Sequence, residues 1–330
     1  MKTHSIKFFN MQLFLALMAA CLTITALQAI ASPVNTHFAY VTNQGDDTVS
    51  VIDTTTNQVI NTIKVSKAPV GVAVSAKKQR AYISNVESQE ISIINTQNNT
   101  VIQTLKIKGS PVGLALSPNS KTLYVADWFD NKVRAINTEK TDDIRELSVG
   151  DAPAGLTVSP NNRWLYVANR DSNDIAVIDT QSLQIKKRIK VGKHPFGIFL
   201  SASGRLLVSV NVKEDTVSII NLKTNHQRKI KVGYHPYCAA MTSDEKTLYV
   251  TNTQDDSVTV IDIATGKTIA TIEVGSTPEG ISIDSANHRA YVANWGSNNV
   301  SVINTTTNKL LTTINTGEKS RAFGQFVLAP

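Results

Sequence analysis

The chain has 330 residues, 42% of them hydrophobic and 18% charged, with a formal net charge of +7 and two cysteines. That length can bury a large core, and the modest basic excess is not by itself a nucleic-acid signature. With one cysteine at position 21 and the other at 238, a disulfide framework is excluded, so stability must come from packing.

The first segment reads as an address. Met1 to Lys7 carry Lys2 and Lys7 and no acid, an apolar run follows from Phe8 to Ile30, and "AIAS" places small residues at Ala29 and Ala31 ahead of Ser32. This is the pattern of a cleaved signal peptide over residues 1–31. A membrane anchor of similar length is the rival reading, but Asn10, Gln12 and Gln28 interrupt the apolar run. Cys21 after "LMAA" loosely suggests lipoprotein processing, yet the run continues past it. The expected mature protein is residues 32–330, periplasmic or secreted to the cell surface, with no transmembrane span after cleavage. Cleavage removes two lysines and no acid, leaving a mildly basic chain.

From residue 39 onward one unit recurs. "AYVTN" at 39 returns as "AYISN" at 81, "LYVAD" at 123, "LYVAN" at 165, "LVSVN" at 207, "LYVTN" at 248 and "AYVAN" at 290. The closing Asn or Asp falls at 43, 85, 127, 169, 211, 252 and 294, in steps of 42 with a single 41. Each unit holds four short β-branched segments, such as "VGVAV", "AYIS", "ISII" and "VIQTLKI", separated by turn formers such as "SPNSK" and "DSND". No segment keeps helical spacing, which excludes helical repeats. Four strands per period of about 42 residues match a propeller blade. The expected fold is therefore all-β: a seven-bladed β-propeller of four-stranded antiparallel blades, forming a single domain over residues 32–330. The chain enters at "FAYVTN" without a first strand and ends in "RAFGQFVLAP", whose "AFGQFV" aligns with "PVGVAV". The C-terminal strand is expected to supply the missing inner strand and close the ring, which removes exposed sheet edges.

The joint recurrence of "YVTN", "TVSVIDT" and Pro-x-Gly resembles the YVTN family of β-propellers, YncE-like repeat proteins of bacteria and archaea, over essentially all of residues 33–330. The resemblance implies an extracytoplasmic propeller with a binding or scaffold role. Its motifs specify a fold rather than a reaction.

Most repeated residues have structural work. The tyrosine of each second strand should fill the space between blades, and Asn43 and its counterparts should tie the turn that follows. Asp53, Asn95, Asn137, Asp179, Asn221, Asp262 and Asn304 read as Asx turns rather than catalytic carboxylates. The glycines at 71, 113, 155, 197, 280 and 324 belong to the crowded innermost strands, where Cys238 takes the sixth place as a buried small residue.

The positions flanking the proline behave differently. The residue before it runs Ala68, Ser110, Ala152, His194, His235, Thr277 and Arg321; the residue after it runs Val70, Val112, Ala154, Phe196, Tyr237, Glu279 and Phe323. Three blades are small and neutral, whereas four carry ring, acid or base. Packing alone should repeat sevenfold, so this asymmetry marks a ligand site at the mouth of the central channel, comprising His194, Phe196, His235, Tyr237, Glu279, Arg321 and Phe323. The loops after the second strands open on the same face and add Trp128, Phe129 and Trp295 among many acids. Acids and aromatics together suggest a cation, an amine-bearing ligand or a peptide; charged turns that only keep the protein soluble are the plainer alternative.

Three chemistries compete with simple binding. His194, His235 and Glu279 are candidate zinc ligands, although no local metal motif accompanies them. His194, His235, Glu279 and Arg321 are also the residue types of a lactonase-like hydrolase or lyase. The outer segments "QIKKRIKV" and "HQRKIKV" present basic edges that track phosphates or, as the favoured reading, protect the edge from pairing. The expectation is a non-enzymatic scaffold without a cofactor that binds a protein, peptide or small molecule at this face.

Overall fold

The computed structural model describes residues 37–328; the leader read over residues 1–31 lies outside them. Seven sheets follow one another along the chain, six of four antiparallel strands and one of five whose added strand is parallel. The fifth blade is typical: Pro195–Leu200 lies innermost, followed outward by Leu206–Asn211, Thr216–Asn221 and Gln227–Lys231. One 3-10 turn, Val212–Glu214, is the helical element among the described residues. None of their helices is long and apolar enough to cross a membrane.

Burial follows the strand order. Second and third strands are almost wholly buried, whereas outer strands such as Gln58–Lys64 expose most residues. β-branched residues suit these pleated, doubly covered strands. Their side chains pack between blades: Tyr40, Val41, Val49 and Ile52 of the first blade share one cluster with Ile83 and Ile94 of the second and with Tyr291, Val300 and Val302 of the seventh. That cluster crosses the seam where the ring closes. The repeated tyrosine also ties blades through its hydroxyl. Tyr40 donates to Asn99 Oδ1 at 2.8 Å, and Tyr291 donates across the seam to Asn57 Oδ1 at 2.9 Å. The Asx turns form as expected, Asp53 Oδ1 accepting the Thr55 backbone N–H at 2.7 Å and Asn304 Oδ1 that of Thr306 at 2.9 Å.

The closing Asn of each second strand works mainly across its hairpin. Asn43 Nδ2 donates to Ser50 Oγ at 2.9 Å, and Asn252 Nδ2 donates to Thr259 Oγ1 at 2.9 Å. The third blade replaces this neutral pair by a charged one: Asp127, fully buried, meets Arg134, 2% exposed, whose guanidinium also reaches Glu146 at 2.7 Å and Asp130 at 3.2 Å.

The innermost strands crowd around the axis. A Cβ on Gly155 would lie 2.5 Å from the carbonyl oxygen of Phe196, and one on Gly197 would strike the carbonyl of Tyr237. This close approach to the next blade is what the small residue provides. Cys238 is buried there, with its backbone N–H held by Thr251 Oγ1 at 3.0 Å. Burial pushes its thiol up, which keeps it out of thiolate chemistry.

The C-terminal strand closes the ring, with a register that differs from the sequence alignment. Val327–Leu328 pairs antiparallel with Phe38–Asn43 as the inner strand of the first blade. Ser320 bridges Asn43, as Pro69 opposes Asn85 and Pro236 opposes Asn252. The place of the proline is therefore held by Ser320, not Ala322. Lys319, at φ 57°, takes the place of Ala68 and His194, and Arg321 takes that of Val70 and Tyr237. Two extra residues let the chain step sideways, so that Phe323–Gln325 pairs in parallel with Pro69–Ser75 and makes that sheet five-stranded. Gly324, at φ 115°, permits the detour.

Candidate functional site

The mouth of the channel is built from two backbone positions per blade. Each loop after a second strand ends in a left-handed residue, Asp47, Gln89, Asn131, Asn173, Asp215, Asp256 or Asn298, with φ between 49° and 57°. Asn and Asp tolerate that conformation best. Six of the seven also accept the backbone N–H of the residue before the next proline or its equivalent: Ala68, Ala152, His194, His235, Thr277 and Lys319, at 2.7–2.9 Å. These six are left-handed as well. Gln89 breaks the pattern, and there Gly109 takes the positive φ while Asp127 holds the Ser110 N–H at 3.2 Å.

The carbonyl of each pre-proline residue then accepts the N–H of the residue that follows a closing Asn or Asp. The pairs are Lys319 with Gln44, Ala68 with Val86, Ser110 with Trp128, Ala152 with Arg170, His194 with Val212, His235 with Thr253 and Thr277 with Trp295. Fourteen side chains thus form one layer, and the post-proline residues Val70, Val112, Ala154, Phe196, Tyr237, Glu279 and Arg321 form the next layer inward.

Within these layers lies a cavity of about 330 Å³, lined by Val70, Val86, Ser110, Val112, Trp128, Phe129, Arg170, His194, Phe196, Val212, Lys213, His235, Tyr237 and Arg321. Six residues expected at the site are brought together here: Trp128, His194, Phe196, His235, Tyr237 and Arg321. Three are not. Glu279 is 8% exposed and lies off the lining, ion-paired to Arg321 Nε at 2.5 Å in a contact too poorly aligned for a hydrogen bond. Phe323 lines a separate cavity of about 420 Å³ that opens among the other ends of the innermost strands. Trp295 sits aside, donating to Gln44 Oε1 at 3.2 Å beneath the Lys319 ammonium.

Aromatic rings separate the two cavities. Phe196 stands 4.2 Å from Tyr237, 4.9 Å from Phe323 and 5.6 Å from Trp128, centroid to centroid. Arg321 is held on three sides, donating to the Tyr237 hydroxyl at 2.5 Å and to Gln44 at 3.2 Å while it pairs with Glu279. Burial pushes the Glu279 carboxyl up and Arg321 pulls it back, while the carboxylate and Tyr237 hold the guanidinium in its charged form. At the rim, His235 Nδ1 meets Thr253 Oγ1 at 2.9 Å. His194 is held below the usual imidazole range, first by burial and then by Arg170 and Lys213, with Asp171 opposing them.

The charge of the site departs from the sequence expectation. Most acids of the loops are consumed by structure: Asp47, Asp215 and Asp256 cap backbone N–H groups, Asp255 caps Tyr234 at 2.6 Å, and Glu214 pairs with Lys229 at 2.6 Å. No carboxylate lines the cavity, whereas Arg170, Lys213 and Arg321 do. A cation is therefore not what this wall favours. The zinc candidates also fall apart: among the described residues no three His, Cys, Asp or Glu form a group able to hold a metal ion. Glu279 belongs to the deeper layer and is already paired, whereas the histidines stand in the outer one. Arg170 and Lys213 were missed because loop side chains do not follow strand alternation. Their signal was the place one residue after the closing Asn169 for Arg170 and two residues after the closing Asn211 for Lys213.

Comparison with known proteins agrees with the fold. Residues 10–329 match the family model described as YNCE-like beta-propeller. Among solved structures, hydrazine synthase of Kuenenia stuttgartiensis aligns at 21% identity and TM-score 0.74, over 86% of this chain and 99% of that one. A functionally unknown protein from Desulfotomaculum acetoxidans aligns at 14% and 0.75, over 87% and 100%. A catalytically inactive virginiamycin B lyase from Staphylococcus aureus, solved with quinupristin, aligns at 18% and 0.65, over 83% and 87%. No curated protein sequence matches. At such identities these likenesses carry the fold alone.

Proposed function

Because the chain belongs to the YNCE-like β-propeller family, a fold that dictates no reaction, we propose that it is an extracytoplasmic binding protein whose channel mouth takes a small molecule or the end of a peptide. The observation that carries this reading is the broken symmetry of the mouth. At the two positions flanking each proline or its equivalent, three successive blades hold only alanine, serine or valine while the next four hold His194, Phe196, His235, Tyr237, Thr277, Glu279, Lys319 and Arg321, around a walled cavity of about 330 Å³. Packing the axis would not require such a difference. Apolar walls with a few convergent polar groups are the usual make-up of a ligand pocket.

A hydrolase or lyase built on His194, His235, Glu279 and Arg321 is less well supported, because the carboxylate that would serve as base is buried against Arg321. Nucleic-acid binding by the outer strands is likewise weakened by what those bases touch. Arg188 pairs with Asp174 at 3.2 Å, Lys229 with Glu214 at 2.6 Å, and Arg228 reaches the carbonyls of Ile263 and Ala264 on the next blade. Edge protection and blade-to-blade ties account for them.

Equilibrium dialysis against a small-molecule and peptide extract, followed by mass spectrometry, tests the proposal. Compounds retained by the wild type and lost by Trp128→Ala combined with His235→Ala are expected; identical retention by both proteins would remove the mouth as the site. The export part of the reading has its own check. N-terminal sequencing of protein recovered from the envelope should start at Ser32, and a chain that keeps Met1 in the cytoplasm would contradict it.

A further inference from the structure

We infer that the mouth cavity selects an anion carried on a flat apolar body, an aromatic carboxylate being the simplest such ligand; this rests on the reading of the mouth as a ligand site. Every charged side chain on its wall is basic: Arg170, Lys213 and Arg321, joined by His194 and His235. The neighbouring carboxylates lie off the lining. Asp171 pairs with Arg170 at 2.7 Å and Glu279 with Arg321 at 2.5 Å. The wall therefore offers N–H donors to the cavity while the acceptors stand outside it.

Two groups on this wall lack partners. Lys213 is exposed and makes no ion pair among the described residues. His194 Nδ1 is buried without a hydrogen-bond partner, its imidazole having only a distant approach of Nε2 to Asp171 at 3.9 Å. A buried polar atom of this kind carries a desolvation cost that a turn of the imidazole toward a ligand oxygen would relieve. The remaining wall specifies the body of the ligand. Trp128, Phe196 and Tyr237 stack in sequence across the mouth, and Phe129, 78% exposed, stands beside them at the entrance. Arg170 already lies over the Trp128 ring, 5.2 Å from its centroid. A ring inserted against these faces would place a carboxylate among Arg170, Lys213 and His194, where charge-assisted hydrogen bonds are strongest.

A matched pair of probes separates charge from shape: 2-naphthoate and its neutral isostere 2-naphthamide, titrated by saturation-transfer NMR or calorimetry. The wild type should bind the carboxylate about tenfold more tightly than the amide, the equivalent of one charge-assisted contact. Lys213→Gln with His194→Gln should erase that preference by weakening naphthoate much more than naphthamide; Trp128→Ala should weaken both probes. Both substituted groups lie at the surface of the mouth, so an unchanged melting temperature verifies folding. Naphthoate affinity should also rise from pH 8 to pH 6. A bound anion raises the depressed pKa of His194, which faces Arg170, Lys213 and Asp171, so binding takes up a proton, and His194→Gln should flatten the profile. Equal affinities that both depend on Trp128 would overturn the anion inference while leaving the mouth as a ligand site. Binding of neither probe, or naphthoate binding indifferent to every substitution, would overturn it as well.

Discussion

Deletion of residues 321–330 should abolish the cooperative thermal transition of the propeller and drive the chain into aggregates on gel filtration. The segment is short, but it buries Phe323, Phe326, Val327 and Leu328, each 4% exposed or less. At about 1.5–3 kcal/mol per large apolar side chain, these four contribute about 6–12 kcal/mol, comparable with the whole stability of an ordinary domain. The loss is compounded in two ways. Phe38–Asn43 would become an unpaired inner edge, and Glu279 would remain buried without Arg321. Phe326→Ala gives a graded version, with an expected loss of about 3–5 kcal/mol in chemical denaturation. A truncated chain that melts at the wild-type temperature would show that the ring does not depend on its last strand.

The third blade supplies the second large effect. Arg134→Ser should destabilise the protein by about 3–5 kcal/mol, because it strands a fully buried Asp127 without its counter-charge. The repeat itself indicates the rescue. Five other blades place Asn and Ser or Thr at these two positions and join them at 2.9–3.0 Å, as Asn43 does with Ser50 and Asn252 with Thr259, while the fourth has Asn169 and Ala176. Asp127→Asn combined with Arg134→Ser should therefore recover stability to within about 1 kcal/mol of wild type, since a satisfied neutral pair replaces a buried ionic one. Urea denaturation of the two single variants and the double variant measures this. A double variant as unstable as the worse single one would mean that Arg134 stabilises the blade mainly through Glu146 and Asp130 instead.

The architecture was legible because a propeller repeats each structural decision seven times. A spacing of about 42 residues, four β-branched segments and an Asn or Asp at each turn leave little freedom in the fold. The asymmetric mouth was legible for the same reason, since seven copies define an expectation from which His194, Phe196, His235 and Tyr237 depart. Two features were hidden. "AFGQFV" resembles "PVGVAV" closely enough to align Arg321 with the histidines, but Asn298 holds the N–H of Lys319 and Ser320 bridges Asn43, two residues earlier. Hydrogen bonding to a distant loop sets that register, and local similarity does not report it. The sign of the site was hidden as well. Counting acids in the loops suggests a negative rim, yet Asp47, Asp215 and Asp256 serve as caps for backbone N–H groups. The charged loop residues left facing the cavity are Arg170 and Lys213.

The central claim is that ring closure brings side chains from six different blades around one ligand cavity. A crystal structure of the protein grown with 2-naphthoate tests it most directly. The account predicts density for the naphthalene ring against Trp128, Phe196 and Tyr237, with its carboxylate toward Lys213 and His194. An empty mouth, with the probe lodged only on the outer strands or among the rings of the opposite cavity, would contradict it.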